Sequence, residues 1–256
     1  MSIKALLLDM DGVLWRDSQA IGDLPSILNK AEQKGLNLAY VTNNATRTIS
    51  QYLSKFKSFG VEVGQDQIYT SAITSAEYLS HEHPQGGNLF MIGEDGLEAA
   101  LKEKGFTFGE EDCLAVVVGL DRQISYEKLM RATLLVQDGV PLIGTNPDRT
   151  LPTPEGLAPG AGALIAAIES ASGVTAKIIG KPEPVMLQSA LKALEIEPNQ
   201  ALMVGDRLET DIAAGQQAGC ATALVLSGAS SRAEAEAWSP APDYVEADLS
   251  AVLEKL

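Results

Sequence analysis

The sequence predicts an α/β fold built on a mostly parallel sheet. Short apolar runs alternate with amphipathic helical segments from end to end. The runs are continuously apolar, as strands are when both faces of a parallel sheet are covered. Several of them end in chemistry-bearing residues, at the carboxyl ends where such sheets place their sites.

Strand candidates lie at 3–8, 36–41, 89–92, 114–118, 141–143, 177–179, 201–204 and 221–226. Among the helical segments, Asp23 can cap one whose apolar positions Leu24, Ile27, Leu28 and Ala31 recur at helical spacing, and Gly35 ends it. The segment 48–59 sets Tyr52, Phe56 and Phe59 on one face before Gly60. Segments 125–137, 160–171, 183–194 and 209–218 follow the same logic, with no internal repeat, low-complexity tract or long linker between them.

The 256 residues suit one large domain or two medium ones, and 45% hydrophobic content is ample for a core. The net charge of −15 argues against nucleic acid and anionic membranes as partners. It also means that a phosphate substrate needs local neutralisation, by a metal and a placed lysine. Cys113 and Cys220 form no CxxC pattern, so a disulfide scaffold or zinc ribbon is not expected, and buried inert thiols are. The apolar stretch ending at Leu8 is cut off by Asp9, too short for a signal peptide, and no run approaches the ~18 residues of a membrane span. The expectation is a soluble, cytoplasmic protein.

Asp9 and Asp11 directly follow the first apolar run, and Gly12 supplies a permissive turn. Residues i and i+2 of an extended chain point to the same side, so both carboxylates can face one spot. A metal beside Asp9 keeps it ionised and nucleophilic, while Asp11 can hold a proton for a leaving group. On its own, Asp9-Met10-Asp11-Gly12 reads equally as a solvated Asp-Gly turn.

Further strand ends add to it. The second run ends in Thr42-Asn43-Asn44, a hydroxyl and backbone N–H groups able to hold phosphate oxygens. The run at 176–179 ends in Gly180-Lys181-Pro182, with a compact cation suited to a phosphoryl group and a carboxylate together. The run at 202–204 ends in Gly205-Asp206-Arg207, with Thr210-Asp211 opening the next helix, and Asp206 and Asp211 supply the hard oxygen ligands that Mg²⁺ prefers. Four strand ends of one parallel sheet are thus expected to converge, with three carboxylates set against a divalent ion and Lys181.

At these residues the chain resembles the haloacid dehalogenase superfamily of phosphotransferases. The motifs Asp9-Met10-Asp11-Gly12-Val13-Leu14, Thr42-Asn43-Asn44, Lys181-Pro182 and Gly205-Asp206-Arg207 through Thr210-Asp211-Ile212 stand in that family's order. The resemblance covers nearly the whole chain. It extends to the subfamily of bacterial nucleotide phosphatases, 4-nitrophenylphosphatases and phosphoglycolate or pyridoxal phosphatases, which carry a large C2-type α/β cap between the second and third motifs. The interval from Asn44 to Lys181 is long enough for one and holds the cap-like stretches Val116-Val117-Val118-Gly119-Leu120-Asp121, Thr145-Asn146-Pro147-Asp148 and Pro159-Gly160-Ala161-Gly162-Ala163. The resemblance therefore implies a Rossmann-like parallel-sheet catalytic core at 1–78 and 179–256, with a cap at 79–178.

It further implies that Asp9 forms an aspartyl-phosphate, and that Asp11 is the general acid and then the base. Thr42, Asn43, Asn44 and Lys181 would bind the substrate phosphoryl. Mg²⁺ would rest on Asp9, the Asp11 backbone carbonyl and Asp206, with Asp211 acting through water or by orienting its neighbours. Dehalogenases of the superfamily lack the second acid, so Asp11 points to phosphoryl transfer. Asp17 stands where relatives often have Gly. Leu151 stands where pyridoxal phosphatases tend to have His, which counts against that substrate. The resemblance implies hydrolysis of a small phosphorylated metabolite: a sugar phosphate, nucleotide monophosphate, phosphoglycolate or 4-nitrophenyl phosphate. The alternatives are phosphotransfer to an alcohol and non-catalytic binding of a phosphate ligand. Specificity would lie near Leu120-Asp121-Arg122 and Asp148-Arg149, and relatives are often homodimers.

Other features are read more plainly. Gly160-Ala161-Gly162 with Ala166 imitates a dinucleotide fingerprint but lacks the acidic residue about 20 positions on, and reads as a closely packed helix start. His81 and His83 read as exposed loop residues and not as a zinc site, and Glu110-Glu111-Asp112 as a solvated turn. Trp15 either shapes substrate entry beside Asp11 or packs, and Trp238 reads as structural.

Overall fold

The computed structural model describes residues 2–153 and 155–256. The chain forms two compact units. One comprises the chain up to Thr42, Ser50–Tyr69 and Lys181–Leu256; the other comprises Asn43–Ile49 and Thr70–Gly180. The limit at 78 expected from the sequence falls inside a helix, Ser71–Glu82, whose buried face of Ser71, Ala72, Thr74, Ser75, Ala76 and Leu79 is too poor in large apolar groups to stand out by periodicity.

The first unit is organised on a six-stranded sheet in the order Tyr244–Glu246, Ala221–Val225, Ala201–Gly205, Ala5–Leu8, Asn37–Thr42, Ile68–Thr70. Ala5–Leu8 pairs in parallel with both Ala201–Gly205 and Asn37–Thr42. All four of its residues are fully buried, as a central strand covered on both faces requires. On one face Ala5, Leu7, Ala39, Val41 and Met203 pack with Met186, Leu187, Ala190 and Leu191 of the helix Val185–Leu194. Each large side chain buried this way contributes about 1.5–3 kcal/mol.

Local signals account for the flanking elements. The Asp23 carboxylate accepts the Ser26 N–H at 3.3 Å, starting the helix Leu24–Gln33, and Gly35 leaves it at φ +75°. In the helix Ile49–Ser58, Phe56 packs 4.6 Å from Tyr40 and 5.0 Å from Trp15. Asp17 has φ +50°, a conformation Asp tolerates better than most residues.

The segment expected as a helix at 209–218 is divided. A π-helical turn, Leu208–Ile212, precedes the helix Ala213–Ala218. The wider turn lets Asp211 reach back to the backbone N–H groups of Asp206 and Arg207, at 3.1 and 3.0 Å.

The second unit holds a five-stranded sheet in the order Lys177–Ile178, Leu142–Gly144, Val116–Val118, Gly87–Ile92, Phe106–Phe108, paired in parallel throughout. This corrects the expectation that the strand before Lys181 shares a sheet with Asp9. Apolar continuity marks a buried strand and is silent about which sheet receives it. Gly160 and Gly162 open the helix Ala161–Ser172 with no room for a side chain, each facing a backbone carbonyl, of Asp148 and Pro147, as expected of a close-packed helix start. His81 and His83 are not loop residues: His81 lies in the last turn of Ser71–Glu82 and His83 caps it. Glu110, Glu111 and Asp112 are exposed, with Glu110 paired to Arg131. Among the described residues no helix is long and apolar enough to cross a membrane.

Candidate active site

The register of the six-stranded sheet sets three loops side by side. Leu8 pairs with Tyr40 on one side and Val204 on the other, so Asp9, Val41 and Gly205 follow at one level. Thr42 and Asp206 come one residue later. Three strands of this sheet thus deliver the first, second and fourth motifs, and Lys181 arrives on the chain that re-enters the unit.

Lys181 is buried among carboxylates. Its Nζ lies 2.6 Å from Asp9 Oδ1 and 2.7 Å from Asp211 Oδ1, and it donates to the Val41 carbonyl at 3.2 Å. Asp211 is nearly saturated, since its Oδ2 accepts the Asp206 and Arg207 N–H groups. It orients its neighbours. Asp206 Oδ2 accepts the Ala229 N–H at 2.7 Å. Gly12, at φ +93°, lets the backbone pass so close that a Cβ there would stand 2.5 Å from Asp206 Oδ2. Gly228 approaches the same carboxylate from the loop after Ala221–Val225.

Oxygens of Asp9, Asp206 and Asp211 lie within 4.8 Å of one another, and all three residues are buried. Burial pushes the Asp9 carboxyl well above the usual range; Lys181 pulls it down, and Asp211 and Asp206 push it up. Asp206 is pushed up to about 7, first by burial and then by Asp211. Burial by itself would lower the Lys181 pKa, but Asp211 and Asp9 outweigh it and hold the ammonium charged. Three carboxylates against one ammonium leave two formal negative charges in a low-dielectric site. A divalent cation with a taste for hard oxygen ligands fits that deficit and that donor set.

Asp11 stands outside this cluster. Its carboxylate is half exposed, lies 3.7 Å from Lys55 Nζ, and accepts the Trp15 indole N–H at 2.8 Å. Trp15 is fully buried, so its packing role is real, yet its polar edge is spent on Asp11. Thr42 is buried at its strand end. Asn43 and Asn44 fall in the second compact unit. There the Asn43 amide donates to Asp148 at 3.3 Å, and Asn44 Oδ1 closes its own turn by accepting from Thr46 N and Oγ1 at 3.0 and 2.7 Å.

A sequence model described as haloacid dehalogenase-like hydrolase matches residues 6–107, and a HAD-hydrolase-like one matches residues 178–252. The acid sugar phosphatase of Staphylococcus aureus is 36% identical over 254 residues, 99% of this chain and 98% of that protein. The chain belongs to the haloacid dehalogenase-like hydrolase family. Among solved members, the p-nitrophenyl phosphatase from Archaeoglobus fulgidus superposes with a TM-score of 0.93 at 32% identity, with both chains fully covered. NagD from E. coli K-12 superposes at 0.90 with 34% identity over 98% of each chain. Within this haloacid dehalogenase-like fold, the parts the sequence left unmarked are Lys55, Gly228 and Ala229. Lys55 sits on the same helix as Phe56 and is polar among aromatic positions, a signal that was present. Gly228 and Ala229 act through backbone, which no residue pattern announces.

Two features expected to set specificity are committed within the second unit. The Asp121 carboxylate accepts from Lys128 at 2.6 Å and from the Gln123 N–H at 2.7 Å, and Arg122 pairs with Glu94. Among the described residues no metal-type cluster involves His81 or His83. Neither thiol is activated: burial raises the pKa of half-buried Cys113 and takes buried Cys220 to about 11.

Proposed function

We propose that the protein is a Mg²⁺-dependent phosphatase that cleaves small phosphate monoesters through an aspartyl-phosphate on Asp9. The observation that carries this reading is the buried trio Asp9, Asp206 and Asp211, with Lys181 as the ammonium that contacts two of its carboxylates. Such a deficit is costly unless a cation completes it. The names of the relatives, acid sugar phosphatase and p-nitrophenyl phosphatase, support phosphoric monoester hydrolysis and favour sugar phosphates among the substrate classes.

In this reading the Asp9 carboxylate attacks phosphorus as the ester P–O bond breaks, and Asp11 gives its proton to the departing oxygen. Asp11 then takes a proton from the water that attacks the aspartyl-phosphate, which releases inorganic phosphate and restores Asp9. Lys181 holds its charge beside Asp9 and balances the transferring phosphoryl oxygens, and Thr42 with the Asn43-Asn44 chain beyond it binds them. Asp211 keeps Lys181 and the Asp206 loop in place. Asp9 and Asp206 are the carboxylates that would hold Mg²⁺, with the Asp11 carbonyl. The ion, when bound, supplies charge neutralisation for the phosphoryl group. In this reading the first compact unit, which includes Ser50–Tyr69, is the catalytic core, and the second unit is the cap.

The test is hydrolysis of a chromogenic phosphate monoester by purified protein with Mg²⁺. Activity should vanish with chelator and return with the metal. An inactive wild type, or a fully active Asp9→Asn variant, would sink the mechanism.

A further inference from the structure

Trp15 ties Asp11 in place by geometry that packing does not require. The Met10 carbonyl accepts the N–H groups of Leu14 and Trp15 at 2.9 and 3.3 Å, and Gly12 donates to the Trp15 carbonyl at 2.8 Å. This tight turn folds the indole back along the chain, so that its N–H reaches Asp11 Oδ1 at 2.8 Å. The ring cannot swing away: Phe59 stacks on it at 5.6 Å with 20° between planes, and Phe56 meets it edge-on at 5.0 Å. Lys55 Nζ lies 4.2 Å above the same ring and 3.7 Å from the same Asp11 oxygen.

We propose that Trp15 is a positioning residue for the acid–base carboxylate, fixing the rotamer of Asp11 and assigning its two oxygens different tasks. The proposal rests on the reading of Asp11 as general acid. A half-exposed carboxylate is free to rotate, and here both neighbours select Oδ1. An indole nitrogen only donates, and the Lys55 ammonium faces the same Oδ1, so a proton is disfavoured on that oxygen and the one passed to the leaving oxygen travels on Oδ2. As the Asp9–phosphorus bond forms and the ester P–O bond breaks, that proton moves from Oδ2 to the departing alkoxide, which leaves as an alcohol. The rigid indole holds Oδ2 towards the reacting group, the kind of placement on which general-acid catalysis depends.

The competing explanation is that Asp11 merely satisfies a buried indole N–H. Dependence on the leaving group separates the two. 4-Nitrophenolate departs without a proton, whereas an alkoxide needs one. Values of kcat/KM, which report P–O cleavage, would be measured for 4-nitrophenyl phosphate and ethyl phosphate. Trp15→Phe keeps the ring stack and removes the donor. It should lower kcat/KM for ethyl phosphate about tenfold or more and change that for 4-nitrophenyl phosphate by less than about twofold. Equal loss on both substrates, or no loss on either, overturns the proposal. Should the Phe variant not fold, benzothienylalanine incorporated at Trp15 in a Trp238→Phe background keeps the bicyclic shape without an N–H and must show the same split. Wild type that cleaves neither substrate overturns the phosphatase reading and this proposal with it, whereas active wild type with unsplit variants overturns the role of Trp15 alone.

Discussion

The Lys181 ammonium rests 2.6 Å from Asp9 Oδ1, although 172 residues of chain separate them. The pair is buried, and Asp211 holds the same ammonium from another side at 2.7 Å. One lysine therefore serves both as the counter-charge of the candidate nucleophile and as the staple between the first and last motifs.

Removing it should be costly in two ways. Lys181→Met leaves buried carboxylates without their cation, and we expect a loss of about 3–5 kcal/mol in stability together with loss of turnover. Chemical denaturation and the phosphate-release assay read the two effects. A variant as stable as wild type would mean that the Lys181 charge contributes nothing to holding this cluster together.

Asp9→Asn should behave oppositely with respect to stability. It keeps the shape of the side chain and takes one negative charge out of a crowded cluster. Turnover should fall on the order of 10³-fold or more, while the melting temperature of the metal-free protein stays level or rises. A drop in melting temperature would show that the Lys181 contact outweighs the carboxylate repulsion.

The pH dependence of the metal-free protein follows from the raised carboxyls. Asp206 goes from an ordinary 3.8 to about 7 in the fold, and Asp9 also moves upward. Raised folded-state values mean that the native protein binds more protons than the unfolded chain in this window. Their contribution to stability is full below the ordinary carboxyl range and is lost as pH rises through about 7. Thermal unfolding in chelator should show that decline, and Mg²⁺ should reverse it most strongly at the higher pH. Binding should also release protons, visible in calorimetry as a heat that depends on the buffer. A metal-free stability that climbs steadily from pH 4 to 7 would contradict the raised values.

Gly12→Ala tests the close approach of backbone to ligand. At φ +93° an alanine is strained, and its Cβ would press on Asp206. We expect about 1–3 kcal/mol of destabilisation and roughly tenfold weaker Mg²⁺ binding, since 1.4 kcal/mol is a factor of ten. Gly139, at φ +96° with nothing within 4 Å of a built Cβ, provides the control: Gly139→Ala should show the strain alone and bind Mg²⁺ normally.

Local chemistry made much of this site legible before any coordinates. Asp9 and Asp11 follow a run whose four residues are indeed fully buried, and Thr42 and Asp206 end strands paired on either side of it. Asp23 was readable as a cap because a short polar side chain before an apolar period has one economical use, and it accepts the N–H three residues on. The helix Ser71–Glu82 escaped because its buried face is small and polar apart from Leu79, with Ser, Thr and Ala in place of a large apolar period. The π-helical turn at Leu208–Ile212 escaped because it answers to Asp211's pull on the Asp206 and Arg207 amides, a contact and not a propensity.

The sequence by itself determined which residues stand at strand ends, and hence the chemical inventory: carboxylates, a hydroxyl and a lysine in family order. Burial and periodicity are local properties, and they survive without a partner in view. Only the tertiary structure decided which of those residues meet. It placed the strand before Lys181 in the second sheet, brought Lys181 between Asp9 and Asp211, drew Gly12 and Gly228 against Asp206, and turned the Trp15 indole onto Asp11. Sheet membership and side-chain pairing depend on long-range packing and on charges that raise one another's energy until a counter-ion is found, and neither is written in any stretch of sequence short enough to read as a pattern.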